Sequence, residues 1–183
     1  MISTLLAENP ALLMIGIVLA TLCCLVVACA IEWRGGRSRG LGGWIAIAGV
    51  AVVIVLTLLP DPRSAMTVST CQLVPTNVLR DRANIALFYA PALFGTMWLR
   101  RPIVAALVGI ALSATIETIQ FLAPAVGRRC DIDDWISNSA GTVLGVVSAV
   151  AISFVVARLR NRRTPGPSQP SDLIAEDSTF GEP

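Results

Sequence analysis

The stretch Ile103–Leu122, IVAALVGIALSATIETIQFL, carries a single ionisable group, Glu117. About 20 apolar residues are what a helix needs to cross the ~30 Å hydrocarbon core of a bilayer. Working outward, four more runs of the same kind appear: about Pro10–Ile31, Gly42–Leu59, Ala83–Leu99 and Ile136–Ala157. Together they predict an all-α, polytopic membrane helix bundle with about five transmembrane helices. The second and third runs are short, and the third contains Pro91. A membrane helix tolerates proline where its neighbours satisfy the freed carbonyl. An arrangement of four crossings, with one of these two runs re-entrant, is the alternative. The first run ends in a segment resembling a lipoprotein cleavage site, Val26-Val27-Ala28-Cys29, but no basic residue precedes Arg34. A signal peptide needs a basic start, so the run reads as an uncleaved helix.

The composition agrees with this reading. Hydrophobic residues make up 55% of the chain and charged residues 14%, against roughly a quarter charged in a soluble domain. There is no His, and all 14 basic residues are Arg. A His-ligated metal, a His general base, a Lys Schiff base and a P-loop lysine are therefore excluded. Neither a metal nor an organic cofactor is expected. The aspartates at 131, 133 and 134 lack the spacing of a calcium loop. Membrane lipids, and not nucleic acid, are the expected surroundings.

The arginines are divided unevenly between the loops. Nine (Arg34, Arg37, Arg39, Arg100, Arg101, Arg158, Arg160, Arg162 and Arg163) follow the odd-numbered runs. Five (Arg63, Arg80, Arg82, Arg128 and Arg129) fall on the other side. The positive-inside rule makes the first set cytoplasmic, with the N-terminus outside and the C-terminus inside. Residues 1–163 form the transmembrane domain. Beyond it, 164–183 are rich in Pro, Ser and Thr with four acidic residues, the composition of a disordered cytoplasmic tail. A long outer segment, about Pro60–Arg82, is the only other extended non-helical stretch. Cys71 and Cys130 fall on the outer, oxidising side, where a disulfide between them would persist. Two unpaired thiols are the alternative. Cys23, Cys24 and Cys29 lie in the first run as small packing residues.

Polar residues inside the spans are the candidates for function. Ser113, Glu117 and Gln120 follow one another at i, i+4 and i+7, which makes one stripe. A carboxylate at that depth is unfavourable unless it is paired, solvated or protonated. Asp134, just before the fifth run, and Asn138, Gly141 and Gly145 within it also form one stripe, and the two glycines allow a close helix approach. The fourth and fifth runs are expected to be antiparallel neighbours, with Glu117 and Gln120 facing Asn138 and Asp134. Asn84 in the third run would sit at the same depth. The loop GRRCDIDDW, 127–135, could form a salt-bridged network, an anion site at Arg128 or Arg129, or a solvated charged surface. Asp133 or Asp134 could cap the following helix. Structural glue is the competing role for Glu117 and for Asn84.

These residues carry a resemblance. Glu117-x-x-Gln120, Gly127-Arg128, Asp131-x-x-Asp134, Asn138, Gly141 and Gly145 resemble the signature of the VanZ-like family. Asn84, Phe88, Pro91 and Gly95 resemble its upstream segment, with the proline one position later than usual. The match covers about 84–157. The resemblance implies a multi-pass protein of the bacterial cell membrane. It also implies a link to teicoplanin resistance, through the family's founding member. Paired Cys71 and Cys130 resemble a form found in high-GC Gram-positive bacteria.

Three functions fit. The first is an accessory protein that binds a lipid, glycopeptide or envelope partner at the outer leaflet through Glu117, Gln120, Asn84, Arg128, Asp131, Asp134 and Asn138. The second is an enzyme acting on a lipid-linked substrate, with these carboxylates as acid or base and Arg128 on a phosphate. Against it, Ser113 has no His or Lys partner in this chain. The third is a small transporter, whose path a homo-oligomer would enlarge.

Overall fold

The structure is a computed structural model that describes residues 9–36, 38–59, 71, 74, 82–123 and 131–162. The proposed tail, most of the 60–82 segment and the loop residues 124–130, including Arg128 and Cys130, lie outside the described residues. The described chain is all-helical: α1 (Pro10–Arg34), α2 (Ser38–Leu58), α3 (Arg82–Leu99), α4 (Pro102–Leu122) and α5 (Ile132–Asn161). Four of these, α1, α2, α4 and α5, are long and apolar enough to cross a membrane.

The exception, α3, carries Arg82, Asn84 and Tyr89, with Pro91 inside the helix. It is also the helix most surrounded by others. It packs most extensively on α5, then on α2, and touches α4 and α1 as well. Phe88, Leu93, Phe94 and Met97 are almost wholly buried. A helix shielded by protein on several sides can carry polar groups that a lipid-facing helix cannot. Its lower hydropathy thus follows from its central position.

Two helices are longer at their ends than the apolar runs suggest. α5 was expected over 136–157 but runs Ile132–Asn161. Asp131 starts it early by accepting the Asp133 N–H at 2.9 Å, the ordinary N-cap bond. The cap is therefore Asp131, not Asp133 or Asp134. α2 begins at Ser38, not 42, so Gly40, Gly42 and Gly43 all lie within it. At Gly43 a Cβ would stand 2.9 Å from the Trp98 ring, so the missing side chain is what lets α2 and α3 meet there.

Close helix contacts fall where small residues permit them. A Cβ on Gly141 would collide with the carbonyl of Ile85, and one on Gly145 with that of Tyr89. Both partners belong to α3, and the paired positions advance together by four residues. α3 and α5 therefore run parallel and in register, although α4 lies between them in sequence. The glycine pair serves this contact and not the α4–α5 seam. α4 meets α5 at Gly109, where a Cβ would lie 2.5 Å from Thr142 Cγ2. α2 meets α3 at Gly49, where a Cβ would lie 3.2 Å from Pro91.

One end of the bundle is basic. There the C-termini of α1, α3 and α5 converge on Glu32, which is 5% exposed. Arg100 makes an ion pair with it at 2.6 Å. Arg160 donates to the carbonyls of Glu32 and Trp33, satisfying carbonyls that a helix end leaves open. Leucines and isoleucines of α1, such as Leu12, Ile15 and Leu19, face outward, as does Leu107 on α4. In water such a surface would be a liability, but in a bilayer it is the lipid-facing band.

Candidate functional site

The polar end of the bundle gathers the residues singled out in the sequence. On α4, Ser113, Glu117 and Gln120 are all buried, at 0%, 8% and 5% exposure. They share one stripe, and that stripe faces protein, as the cost of placing a carboxylate against lipid demands.

Their partners differ from the expected ones. Glu117 Oε2 accepts the backbone N–H of Asp131 at 2.9 Å. Asn138 Nδ2 donates to Ser113 Oγ at 3.0 Å, and Thr142 Oγ1 donates to the Asn138 carbonyl at 3.0 Å. Asp134 Oδ1 accepts from Asn84 Nδ2 at 2.8 Å. Gln120 Nε2 reaches across to α2 and donates to the Thr57 carbonyl at 3.0 Å. So Glu117 and Gln120 do not pair with Asn138 and Asp134. The antiparallel register of α4 and α5 sets Ser113 opposite Asn138 and Gly109 opposite Thr142. Glu117 then arrives at the α5 N-cap, and Gln120 passes beyond it to the end of α2.

The network ties four helices together. Asn84–Asp134 joins α3 to α5, Ser113–Asn138 and Glu117–Asp131 join α4 to α5, and Gln120–Thr57 joins α4 to α2. The Thr57 carbonyl is open because it lies in the last turn of α2, where the helix offers it no N–H. Sequence periodicity cannot foresee this partner, since Thr57 reads as an ordinary residue of an apolar run. Glu32 also escapes a reading based on apolar runs. The available signal was that it is an acidic residue beside the arginines of the basic end.

Several buried polar atoms at this end lack a hydrogen-bond partner among the described residues: Gln120 Oε1, Asn138 Oδ1, Ser137 Oγ and Trp135 Nε1. Ser137 and Asn138 are 1% and 2% exposed. Glu117 Oε1 also accepts no hydrogen bond among the described residues. Buried polar groups are nearly always satisfied, so a group of orphans points to water or a ligand. The set includes two amide carbonyls, Gln120 Oε1 and Asn138 Oδ1, which can only accept, beside the Ser137 and Ser139 hydroxyls and the Trp135 indole N–H. The two carbonyls would take hydroxyl or N–H donors.

Gly141, Gly145 and Pro91, read as packing residues, lie at the α3–α5 and α2–α3 contacts described above. Cys71 is disulfide-bonded, while Cys23, Cys24 and Cys29 are free. The proposed partner, Cys130, and the proposed anion ligand, Arg128, lie outside the described residues.

Neither the comparison with curated proteins nor the one with solved structures gave a match. A family model, VanZ/LLP1, matches residues 44–155. The match runs from the first half of α2 almost to the end of α5, so it takes in α2, which the motif resemblance left out. It covers more than half of the chain and all four helices joined by the polar network, and the chain belongs to the VanZ/LLP1 family.

Proposed function

We propose that this membrane protein is an accessory binding protein of the bacterial cell envelope, with its polar end at the outer leaflet. The nine arginines after the odd-numbered spans support that orientation, with the N-terminus outside and the C-terminus cytoplasmic. The ligand is a donor-rich envelope molecule, either a lipid-linked saccharide or peptide or a glycopeptide such as teicoplanin. One observation carries the reading. The orphaned acceptors Asn138 Oδ1 and Gln120 Oε1 flank Glu117 along α4, Asn138 opposite Ser113 one turn before it and Gln120 one turn after it. They would accept hydroxyl or amide protons, and Glu117 Oε1 would add a charge-assisted bond. Arg128, on the adjoining loop, is the candidate for a phosphate or carboxylate on the same ligand.

The enzyme reading has less support. Ser113 is fully buried and holds Asn138 Nδ2 through its hydroxyl oxygen, so it is poorly placed to attack a substrate.

The test is expression in a teicoplanin-susceptible Gram-positive host, scored by the inhibitory concentration. The intact chain should raise it. Glu117→Gln and Asn138→Leu, at equal abundance, should lose the increase. No change with the intact chain would refute the glycopeptide role. Lipid extracts of the purified protein would then be searched for a co-purifying saccharide- or peptide-bearing lipid, and its absence would sink the binding reading altogether.

A further inference from the structure

A second feature lies in the apolar body of the bundle. α2 and α4 make few contacts with each other, and between them lies a groove of about 250 Å³. Its walls are Ala46 and Val50 on α2 and Ala105, Val108 and Leu112 on α4, with Gly95 of α3 at its base. Ile47 and Trp98 also border it and are about half exposed, so the groove opens toward lipid. For scale, a ~150 Å³ apolar cavity holds one benzene ring, and sites for compact drug-sized ligands begin near ~300 Å³. This groove suits a length of hydrocarbon chain. Thr142, which also lines it, has its hydroxyl engaged by the Asn138 carbonyl.

Toward the polar end the groove is closed. Val53, Phe88 and Ile116 pack together there, at 0%, 2% and 2% exposure. Val53, Phe88 and Ile116 thus stand between the groove and Glu117, and the half-exposed Ile47 and Trp98 mark its opening toward the bilayer. From Arg101 to Leu112 along α4 is roughly 16 Å at 1.5 Å per residue. That is about half of a ~30 Å hydrocarbon core, or one leaflet.

The basic end supplies the matching charge. Ala105, Val108 and Leu112 stand at i, i+3 and i+7, one stripe of α4, and Arg101 is the N-cap residue one turn before Ala105. Arg39, Ala46 and Val50 stand at i, i+7 and i+11, one stripe of α2. The two arginines therefore head the two walls of the groove. Both are exposed, and neither guanidinium has a hydrogen bond or ion pair among the described residues. Arg100, by contrast, is taken by Glu32.

We propose that this groove seats one acyl chain of an anionic phospholipid from the leaflet at the basic end, with the lipid phosphate held by Arg39 and Arg101. The site is independent of the ligand proposed at the polar end.

The probe is dioleoyl phosphatidylglycerol against dioleoyl phosphatidylcholine, each added to the full-length purified chain and read by native mass spectrometry. The intact chain should retain one phosphatidylglycerol in preference to phosphatidylcholine by on the order of tenfold, given the attraction of an anionic lipid to two arginines. Gly95→Leu should fill the groove and abolish retention of both lipids. There is room for it, since the nearest atom to a Cβ at that position is Ala46 Cβ at 3.9 Å. The double change Arg39→Gln with Arg101→Gln lies on the surface and does not disturb packing. It should remove the preference while chain binding persists. Equal retention of the two lipids by the intact chain would overturn the proposal. So would phosphatidylglycerol retention that survives Gly95→Leu in a normally folded protein. A dimer that disappears on Gly95→Leu would also overturn it, by assigning the groove to a second copy.

Discussion

Asn84 on α3 donates a 2.8 Å hydrogen bond to Asp134 on α5, while the carbonyl of the next residue, Ile85, meets Gly141 two turns further along α5. The polar pair and the glycine contact belong to one parallel interface. The glycines set its register and spacing, and the side-chain hydrogen bond reaches back from that register toward the polar end. Interhelical hydrogen bonds in membranes are worth about 0.6 kcal/mol on average and about 1.7 at most. A double-mutant cycle with Asn84→Ala and Asp134→Ala, followed by SDS unfolding in mixed micelles, should return a coupling toward the upper end, because the acceptor is a carboxylate. A coupling of zero would mean that the pair does not bind the helices together.

The glycine contacts allow a sharper comparison. Gly141→Ala would press a methyl group against a backbone carbonyl, which cannot swing aside. Overpacking of this kind costs about 1–3 kcal/mol. Gly16→Ala faces open space, with nothing within 4 Å, and should be neutral or stabilising by up to about 1 kcal/mol through helix propensity. Unfolding midpoints of the two variants, measured side by side, should separate in that order. Equal stability would contradict the close α3–α5 approach.

The ion pair at the basic end should respond unequally to removal of its two members. Glu32 is buried, while the Arg100 side chain is 41% exposed. Arg100→Ala leaves a buried carboxylate without its cation, a loss that reaches 3–5 kcal/mol for a fully buried pair. With one partner half in solvent the expected loss is about 2 kcal/mol. Glu32→Gln leaves only an exposed guanidinium and should cost less. The comparison requires both variants to be unfolded under the same conditions, and a larger loss for Glu32→Gln would contradict it.

Cysteine chemistry offers a direct count. Cys71 is disulfide-bonded and three cysteines are free, out of five in the chain. If Cys71 pairs with Cys130 of the same chain, alkylation in denaturant should add three labels before reduction and five after, as read by intact mass. Four labels before reduction, together with a dimer on a non-reducing gel, would mean that Cys71 pairs between chains.

Much of this protein could be read from its sequence, because a bilayer punishes polar atoms so heavily that apolar length alone marks a span. The lipid-facing helices were legible for that reason, and so was the burial of Ser113, Glu117 and Gln120 on one stripe of α4. The third helix was the least distinct in sequence, and its weak hydropathy has a structural cause in its place among the other helices.

The sequence determined which faces must be shielded and where small residues permit close approach. It did not determine which helix does the shielding. Periodicity describes one helix at a time, whereas pairing depends on how five helices share a limited set of close contacts. Only the tertiary structure gave Gly141 and Gly145 to α3, turned Gln120 toward Thr57, and brought Arg100 and Arg160 onto the end of α1. Each of these contacts joins residues far apart in the chain. Each forms because an open carbonyl, an unpaired charge or a missing side chain on one helix meets its complement on another.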